Sequence, residues 1–386
     1  MYKYRLYPSH SQRVRLFDTL NTCKEIYNHL LEISIRTYNS EGKTLRKFDY
    51  NRHLTGKYSN VHSQVKQNVS DRVHKAFQSF FRRVKDRSCK EKGYPRFKSG
   101  IHSITYPQFG FRFISHRRLH ISKIGNIPIV LHRIPPGNVK TLTIKRNMAG
   151  QWFAIFACEV SIPRVKHPSS VEKVGIDVGL EQFAILSNGE MIDNPKLLVK
   201  SERRLKRLQQ NLSRKKKCSV NRRKARYKVA KQHIRIANRR LDFLHKISHR
   251  ITRSYSFIAV ENLNINSMVH SHHLAKHILD ASWDRFIQML SYKAVTCGGQ
   301  LVKVKPNRTS KTCSSCKAIV EMPLNKRMFN CPNCGLVLHR DHNAAINILQ
   351  VGLDEPEFTP ADRSTSAPPM GKVSGLVETG TIRGNI

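Results

Sequence analysis

Apolar positions along the chain change their period several times, and each change predicts a different kind of element. Residues 1–8 alternate as a short strand, after which Pro8 and Ser9 open a helical stretch at 13–38. There Leu16, Leu20, Cys23, Tyr27, Leu30 and Leu31 recur at helical spacing. Residues 39–60 read as a polar loop or short helices, and a second amphipathic helix is expected over 63–84, with Val65, Val69, Val73, Phe77 and Phe80 on one face. From 85 to 163 the pattern shifts to short runs rich in β-branched and aromatic residues: SITYPQF, FRFI, RLHIS, IPIVLHR, VKTLTIKR and WFAIFACEV. Runs of that length, punctuated by Gly, Pro and Asn, predict a small barrel or an antiparallel sheet. Residues 2–6 should join it, which makes the helices an insertion.

A linker, RVKHPSS, leads to VEKVGIDVGLEQFAILS at 171–187, which reads as a nearly apolar strand, a tight glycine turn and a second strand. A long helical region then runs from Pro195 to Arg253. Ala230, Ile234, Ala237, Leu241, Leu244, Ser248 and Ile251 alternate steps of four and three, as in a coiled-coil seam, and a hairpin turn is expected near 218–221. Further on come a buried-looking strand, FIAVENLN, at 257–264, a helix at 282–294, a strand at 301–306 and a short helix, DHNAAINIL, at 341–349. The tail from Val351 is rich in Gly, Pro, Ser and Thr and reads as disordered. The result is an α+β, multidomain chain, and 386 residues accommodate two or three domains.

Charge changes the picture. Lys and Arg number 69 against 26 Asp and Glu, a formal net charge of +43, so a polyanion is the expected partner. Residues 200–253 alone hold 21 basic residues against Glu202 and Asp242, a net of +19. A solvated face is the plain alternative for any charged helix, but charge of one sign repels itself unless phosphates neutralise it. Lys215, Lys216, Arg222 and Arg223, near the hairpin turn, are the candidate contacts. In the strand-rich region Tyr94, Arg96, Phe97, Lys98, Tyr106, Phe109, Arg112 and Arg117 interleave rings with cations. Rings stack on unpaired bases while cations hold phosphates, although a core role for some of these rings fits equally well. No apolar run approaches the ~18 residues of a membrane span, and the N-terminus has no apolar signal stretch, so a soluble cytoplasmic protein without a membrane partner is expected.

Four of the nine cysteines cluster. Cys313-x2-Cys316 and Cys331-x2-Cys334 are separated by 14 residues, and each pair puts two thiolates on one turn. Four sulfurs close a tetrahedral site, which points to one structural zinc; redox work would need only one pair. Zinc here would hold a loop just before Asp341. His270, His272 and His273 read as a solvated loop rather than a second metal site. Three acids stand in costly places: Asp177 inside VGIDVG, Glu261 at the end of FIAV, and Asp341 at the start of a helix. A carboxylate in an apolar strand needs a donor, a cation or a metal. Several hard oxygen donors suit Mg²⁺ or Mn²⁺, and two such ions support in-line phosphodiester attack. Three unrelated acids, each paired with some of the many bases, remain the alternative on these residues alone.

The order GIDVGL, VENLN, a four-cysteine knuckle and RDHNAA, preceded by RLYPSHSQ, YPRFKSG at 94–100 and SITYPQ at 103–108, resembles the insertion-sequence-encoded TnpB family over nearly all of residues 1–350. These are RNA-guided nucleases related to type V CRISPR effectors. The resemblance implies a β-barrel-like wedge domain at 1–8 and 85–165 with an inserted helical recognition lobe at 9–84. It implies an RNase H-like (RuvC) α/β nuclease domain at 171–306 and 338–350 that contains the basic helical hairpin, a zinc-binding insertion at 307–337 and a disordered tail at 351–386. Asp177, Glu261 and Asp341 would then be the acidic triad holding two Mg²⁺ or Mn²⁺. The expected partners are a guide RNA and double-stranded target DNA read beside a short motif, in a prokaryotic cytoplasm and on the nucleoid when bound to DNA. A relative that no longer cuts and regulates instead, or a guide-independent transposase, are the rival expectations. Two departures stand out: His339 where the family often has an acid, and Lys317 where a glycine commonly follows the second cysteine.

Overall fold

The computed structural model describes residues 1–354 except 87, 90, 161–171, 271, 307, 324 and 325. The described residues fall into two compact units, one from Met1–Pro163 and Arg204–Arg235, the other from Arg164–Arg203 and Ile236–Ile386.

The first unit begins with β1 (Tyr2–Leu6), followed by α1 (His10–Glu41), α2 (Lys47–Leu54) and α3 (Ser63–Lys85). Six strands follow: β2 (Ser103–Tyr106), β3 (Phe111–Ser115), β4 (Arg118–Ile121), β5 (Gly125–Val130), β6 (Asn138–Arg146) and β7 (Trp152–Glu159). Local chemistry sets the limits of α1. Ser9 and Gln12 exchange hydrogen bonds as a capping box, and Gly42, at φ 65°, returns its N–H to the Tyr38 carbonyl. The strands pair antiparallel in the order β2-β6-β7-β1-β5-β4-β3. Chain-terminal β1 thus lies between β7 and β5, and the helices are an insertion after it. They do not form a separate core: Leu16, Ile26, Leu30 and Val73 belong to one apolar cluster with Ile104, Ile127, Ile144 and Phe156.

The sheet curls without closing into a laddered barrel. β3 and β7 are four strands apart, ~19 Å if the sheet were flat, yet the Phe113 and Phe156 rings meet at 5.0 Å between centroids. The edges β2 and β3 share no ladder. Side chains join the ends instead, with the Tyr106 hydroxyl donating to the Ser122 carbonyl at 3.1 Å.

The second unit is built on β8 (Glu172–Val178), β9 (Gln182–Leu186), β10 (Met191–Asp193), β11 (Tyr255–Glu261) and β12 (Gln300–Val304), in the order β10-β9-β8-β11-β12. β11 runs parallel to both β8 and β12, while β9 is antiparallel to β8. Between β10 and β11 the chain runs through α4 (Leu197–Ser213) and α5 (Val220–Ser254), the expected hairpin, whose residues 204–235 belong to the first unit. Along α5 the expected seam buries Leu244, Ser248 and Ile251, half-buries Ala230, Ile234 and Leu241, and leaves only Ala237 of its seven positions exposed. Leu244 and Ile251 belong to the apolar cluster that contains Ile258 and Phe286. Two short helices, α6 (Ile265–Val269) and α7 (His272–Ala281), replace the loop expected around His270, His272 and His273, and α8 (Trp283–Thr296) follows. The hairpin β13 (Met328–Asn330) and β14 (Val337–His339) leads directly into α9 (Arg340–Asp354). Residues 351–354, expected in the tail, continue α9, and Gly352 sits against Ala259; the rest of that tail lies outside the described residues.

Candidate active site and metal centre

The three acids arrive on three elements. In the parallel pair of β8 and β11, Ile176 stands opposite Val260, so Asp177 and Glu261, the next residues, are neighbours at the C-terminal ends of their strands. Asp341 is the second residue of α9, and Gly175 explains how α9 comes so close. A β-carbon at Gly175 would lie 2.1 Å from the Ala345 carbonyl oxygen and 2.7 Å from the Leu349 nitrogen. From that contact Asp177 is two strand residues away, ~7 Å, and Asp341 about one helical turn, ~6 Å.

Electrostatics register the proximity. The Asp177 carboxyl is pushed well above the ordinary carboxylate range, first by burial and then by the negative charges of Glu261 and Asp341. The Arg340 guanidinium and the Val178 N–H pull in the other direction. Burial also raises Glu261, against the hydroxyl of Thr309, which donates to its Oε1. Arg327 pairs with Asp341 at 3.6 Å and with Glu181 at 2.9 Å. The three carboxylates do not close into a one-ion cage, since among the described residues only the four cysteines bring their ligand atoms within 4.8 Å of one another. What the acids share is a surplus of negative charge that hard cations such as Mg²⁺ or Mn²⁺ relieve.

The cysteines form a much tighter group. Cys313 and Cys334 Sγ are 3.6 Å apart, and Cys316 and Cys331 Sγ 3.5 Å. Four thiolates at a Zn–S distance of ~2.3 Å would stand ~3.8 Å apart, so the donor set fits tetrahedral zinc. Hydrogen bonds from the Asn333 side chain and the Ala318 backbone hold the Cys316 thiol down to about 6. Asn343 and Asn347 of α9, both buried, bind the loop that enters this knuckle, and Thr309 of that loop donates its hydroxyl to Glu261. These three polar residues went unnoticed in the sequence, where only the placing of two asparagines four apart in an otherwise apolar helix could have drawn attention.

A protein of Streptomyces pristinaespiralis named for a proposed RNA-guided DNA endonuclease activity is 35% identical to this chain over 367 residues, covering 91% of this chain and 89% of its own. The chain belongs to the TnpB family. Family models agree segment by segment: a probable transposase matches residues 156–272, a Cas12f1-like TNB domain 283–348 and a helix-turn-helix domain 1–43. InsQ of Escherichia coli K12, named likewise, is 30% identical over 75% of this chain and 74% of its own. The fold is that of Cas12f1, solved as a complex with sgRNA and target DNA: TM-score 0.55, 15% identity, 88% of this chain and 82% of that one.

Both departures from the TnpB pattern have local explanations. His339 caps α9, its Nδ1 accepting the Asp341 N–H at 3.3 Å. Lys317 takes the left-handed conformation that a glycine would favour, at φ 62°, and its ammonium reaches the Ser314 carbonyl and Gln350. Of the residues expected to meet nucleic acid in this TnpB protein, Tyr94 and Phe97 are exposed, as are Arg96 and Lys98. Tyr94 also lines a cleft of about 300 Å³ with Tyr38, Tyr50, Phe77, Phe80 and Phe81. Asn28 holds both backbone groups of Lys98, at 2.8 and 3.0 Å. Tyr106 has to be reassigned: at 1% exposure its ring is core and stacks on no base, because the curl of the sheet closes over it. On the hairpin Lys216 and Arg223 are exposed and Lys215 half-buried. Arg222 turns its guanidinium back onto the Leu212 and Lys215 carbonyls, at 3.1 and 2.9 Å, and so caps α4. Among the described residues, no helix is long and apolar enough to cross a membrane.

Proposed function

We propose that this TnpB-family chain is an RNA-guided, divalent-metal-dependent DNA endonuclease. The observation that carries the reading is geometric: the β8–β11 register sets Asp177 beside Glu261 at the ends of two parallel strands, and the close seat of α9 on Gly175 brings Asp341 toward them from a distant part of the chain. The sheet order β10-β9-β8-β11-β12, with its parallel centre, supports an RNase H-like (RuvC) assignment for the second unit. Relatives named for RNA-guided DNA cleavage support the substrate. Mg²⁺ or Mn²⁺, when bound, would activate water and stabilise the departing oxygen of a phosphodiester. In this reading Asp177 and Asp341 hold the ions, and Glu261 holds an ion and orients the attacking water. The knuckle carries one structural zinc. The basic hairpin and the exposed residues 94–98 hold the guide RNA and the guide–target duplex through shape and phosphates, base pairing reads the sequence, and the protein reads a short motif beside the target.

Substituting Asp177→Ala is expected to abolish cleavage of target plasmid while leaving guide and target binding near the wild-type level. Cleavage retained by that variant, with Mg²⁺ and its own guide, would end the assignment. A wild-type chain that binds its guided target and never cuts would turn the reading into a DNA-binding regulator, and strand transfer without RNA would turn it into a transposase.

A further inference from the structure

The loop between β12 and the first knuckle cysteine touches the elements of two acids at once. Thr309, buried, donates its hydroxyl to Glu261 Oε1. The loop backbone is gripped from α9. Asn347 Nδ2 donates to the carbonyls of Thr309 and Thr312 at 2.8 and 2.6 Å. Asn343 Nδ2 donates to the Thr312 carbonyl at 2.7 Å, and its Oδ1 accepts the Ser314 N–H at 2.9 Å. Both amides are almost wholly buried, at 0% and 4% exposure, where unpaired polar groups are costly, so these bonds define the position of the loop. Cys313, between Thr312 and Ser314, joins the same loop to the knuckle.

From this geometry we infer that Thr309 is a positioning residue for Glu261, set in place by Asn343 and Asn347 from the helix that carries Asp341; the inference rests on the divalent-metal nuclease reading. A hydroxyl donated to one carboxylate oxygen stops the group rotating and leaves the other oxygen for a cation. Because the hydroxyl is referenced to α9, Glu261 and Asp341 keep a constant relation although their elements are far apart in sequence. Partners of this kind around metal ligands typically govern affinity by about 10–100-fold.

The test uses the full chain with its guide RNA and compares Thr309→Val, which removes the donor at constant shape, with Thr309→Ser, which keeps it. Mn²⁺ binding is followed by electron paramagnetic resonance, and the Mg²⁺ dependence of cleavage, zinc content and target binding are measured beside it. Thr309→Val should weaken Mn²⁺ binding about 10-fold or more and raise the Mg²⁺ requirement to match. Zinc content and target binding should stay unchanged, and Thr309→Ser should restore both metal readouts. Metal binding unchanged in Thr309→Val, or equally weakened in Thr309→Ser, overturns the inference. If Thr309→Val does not fold, Thr309→Ala removes the same donor and the comparison with serine decides. If neither folds, the hydroxyl serves stability and the positioning role is rejected. The parent reading fails differently: cleavage by Asp177→Ala ends the nuclease assignment, whereas a wild-type chain that binds Mn²⁺ and cuts beside an unaffected Thr309→Val ends only the role of Thr309.

Discussion

Asp177 carries a carboxyl whose ionisation the fold opposes, since burial and the charges of Glu261 and Asp341 all favour the protonated form. A carboxylate raised above its unfolded value contributes stability at acid pH and loses it as pH climbs from the ordinary range near ~4 through the raised value. Each tenfold difference in proton affinity between the two states is worth about 1.4 kcal/mol. Asp177→Asn is therefore expected to melt higher than wild type in zinc-replete buffer free of Mg²⁺ and Mn²⁺ at pH 7, by about 2–4 °C for each kcal/mol regained, with the gap narrowing toward pH 4. Added Mg²⁺ should raise the wild-type midpoint more than that of the variant, which keeps only Glu261 and Asp341; scanning calorimetry at several pH values checks both. Asp177 and Glu261 were legible in the sequence because each breaks or ends an apolar run. Thr309 was not, since one hydroxyl in PNRTSKTC resembles its neighbours until a partner is seen. Tyr106 misled for the converse reason: a ring beside cations looks the same in sequence whether a sheet covers it or solvent does.

Among the elements, the seat of α9 on β8 sets the site. Gly175 has an ordinary backbone conformation, and what requires glycine there is the helix above it, whose Ala345 carbonyl occupies the space of a β-carbon. The obstacle is backbone, so Gly175→Ala has no flexible side chain to displace. It is expected to cost about 1–3 kcal/mol of stability in denaturant unfolding and to move α9, so that cleavage falls more steeply than guide binding. Gly100→Ala, at an exposed position whose β-carbon meets only the His102 ring at 3.9 Å, should stay within about 0.5 kcal/mol of wild type and cut normally. The helices and strands themselves were mostly legible, because an amphipathic face and a capping box are local. The seam of α5 was legible as a spacing, but what it packs against, including Ile258 and Phe286, was not, because distant residues supply it.

At the scale of the whole molecule, the surplus of +43 divides between cations used within the fold and cations that face solvent. Arg222 caps α4 and Arg327 joins the knuckle to Glu181 and Asp341, while Lys216, Arg223, Arg96 and Lys98 face solvent. If six to ten of the free cations meet phosphates, guide RNA affinity should fall roughly 10³–10⁵-fold between ~50 and ~200 mM salt; a nearly flat dependence in filter binding would remove the phosphate-holding role from the hairpin. Charge, the periods of most helices and strands, and the four-cysteine knuckle follow from residues near one another in the chain. They could be read directly, for each Cys-x2-Cys pair needs only one turn to aim two sulfurs at one point. The meeting of Asp177, Glu261 and Asp341 could be read only by resemblance. It depends on the register of two parallel strands joined through a long helical excursion, on a glycine thin enough for α9 to settle against, and on a loop that ties Glu261 to that helix. Those are contacts between residues scores of positions apart, and no local pattern encodes them.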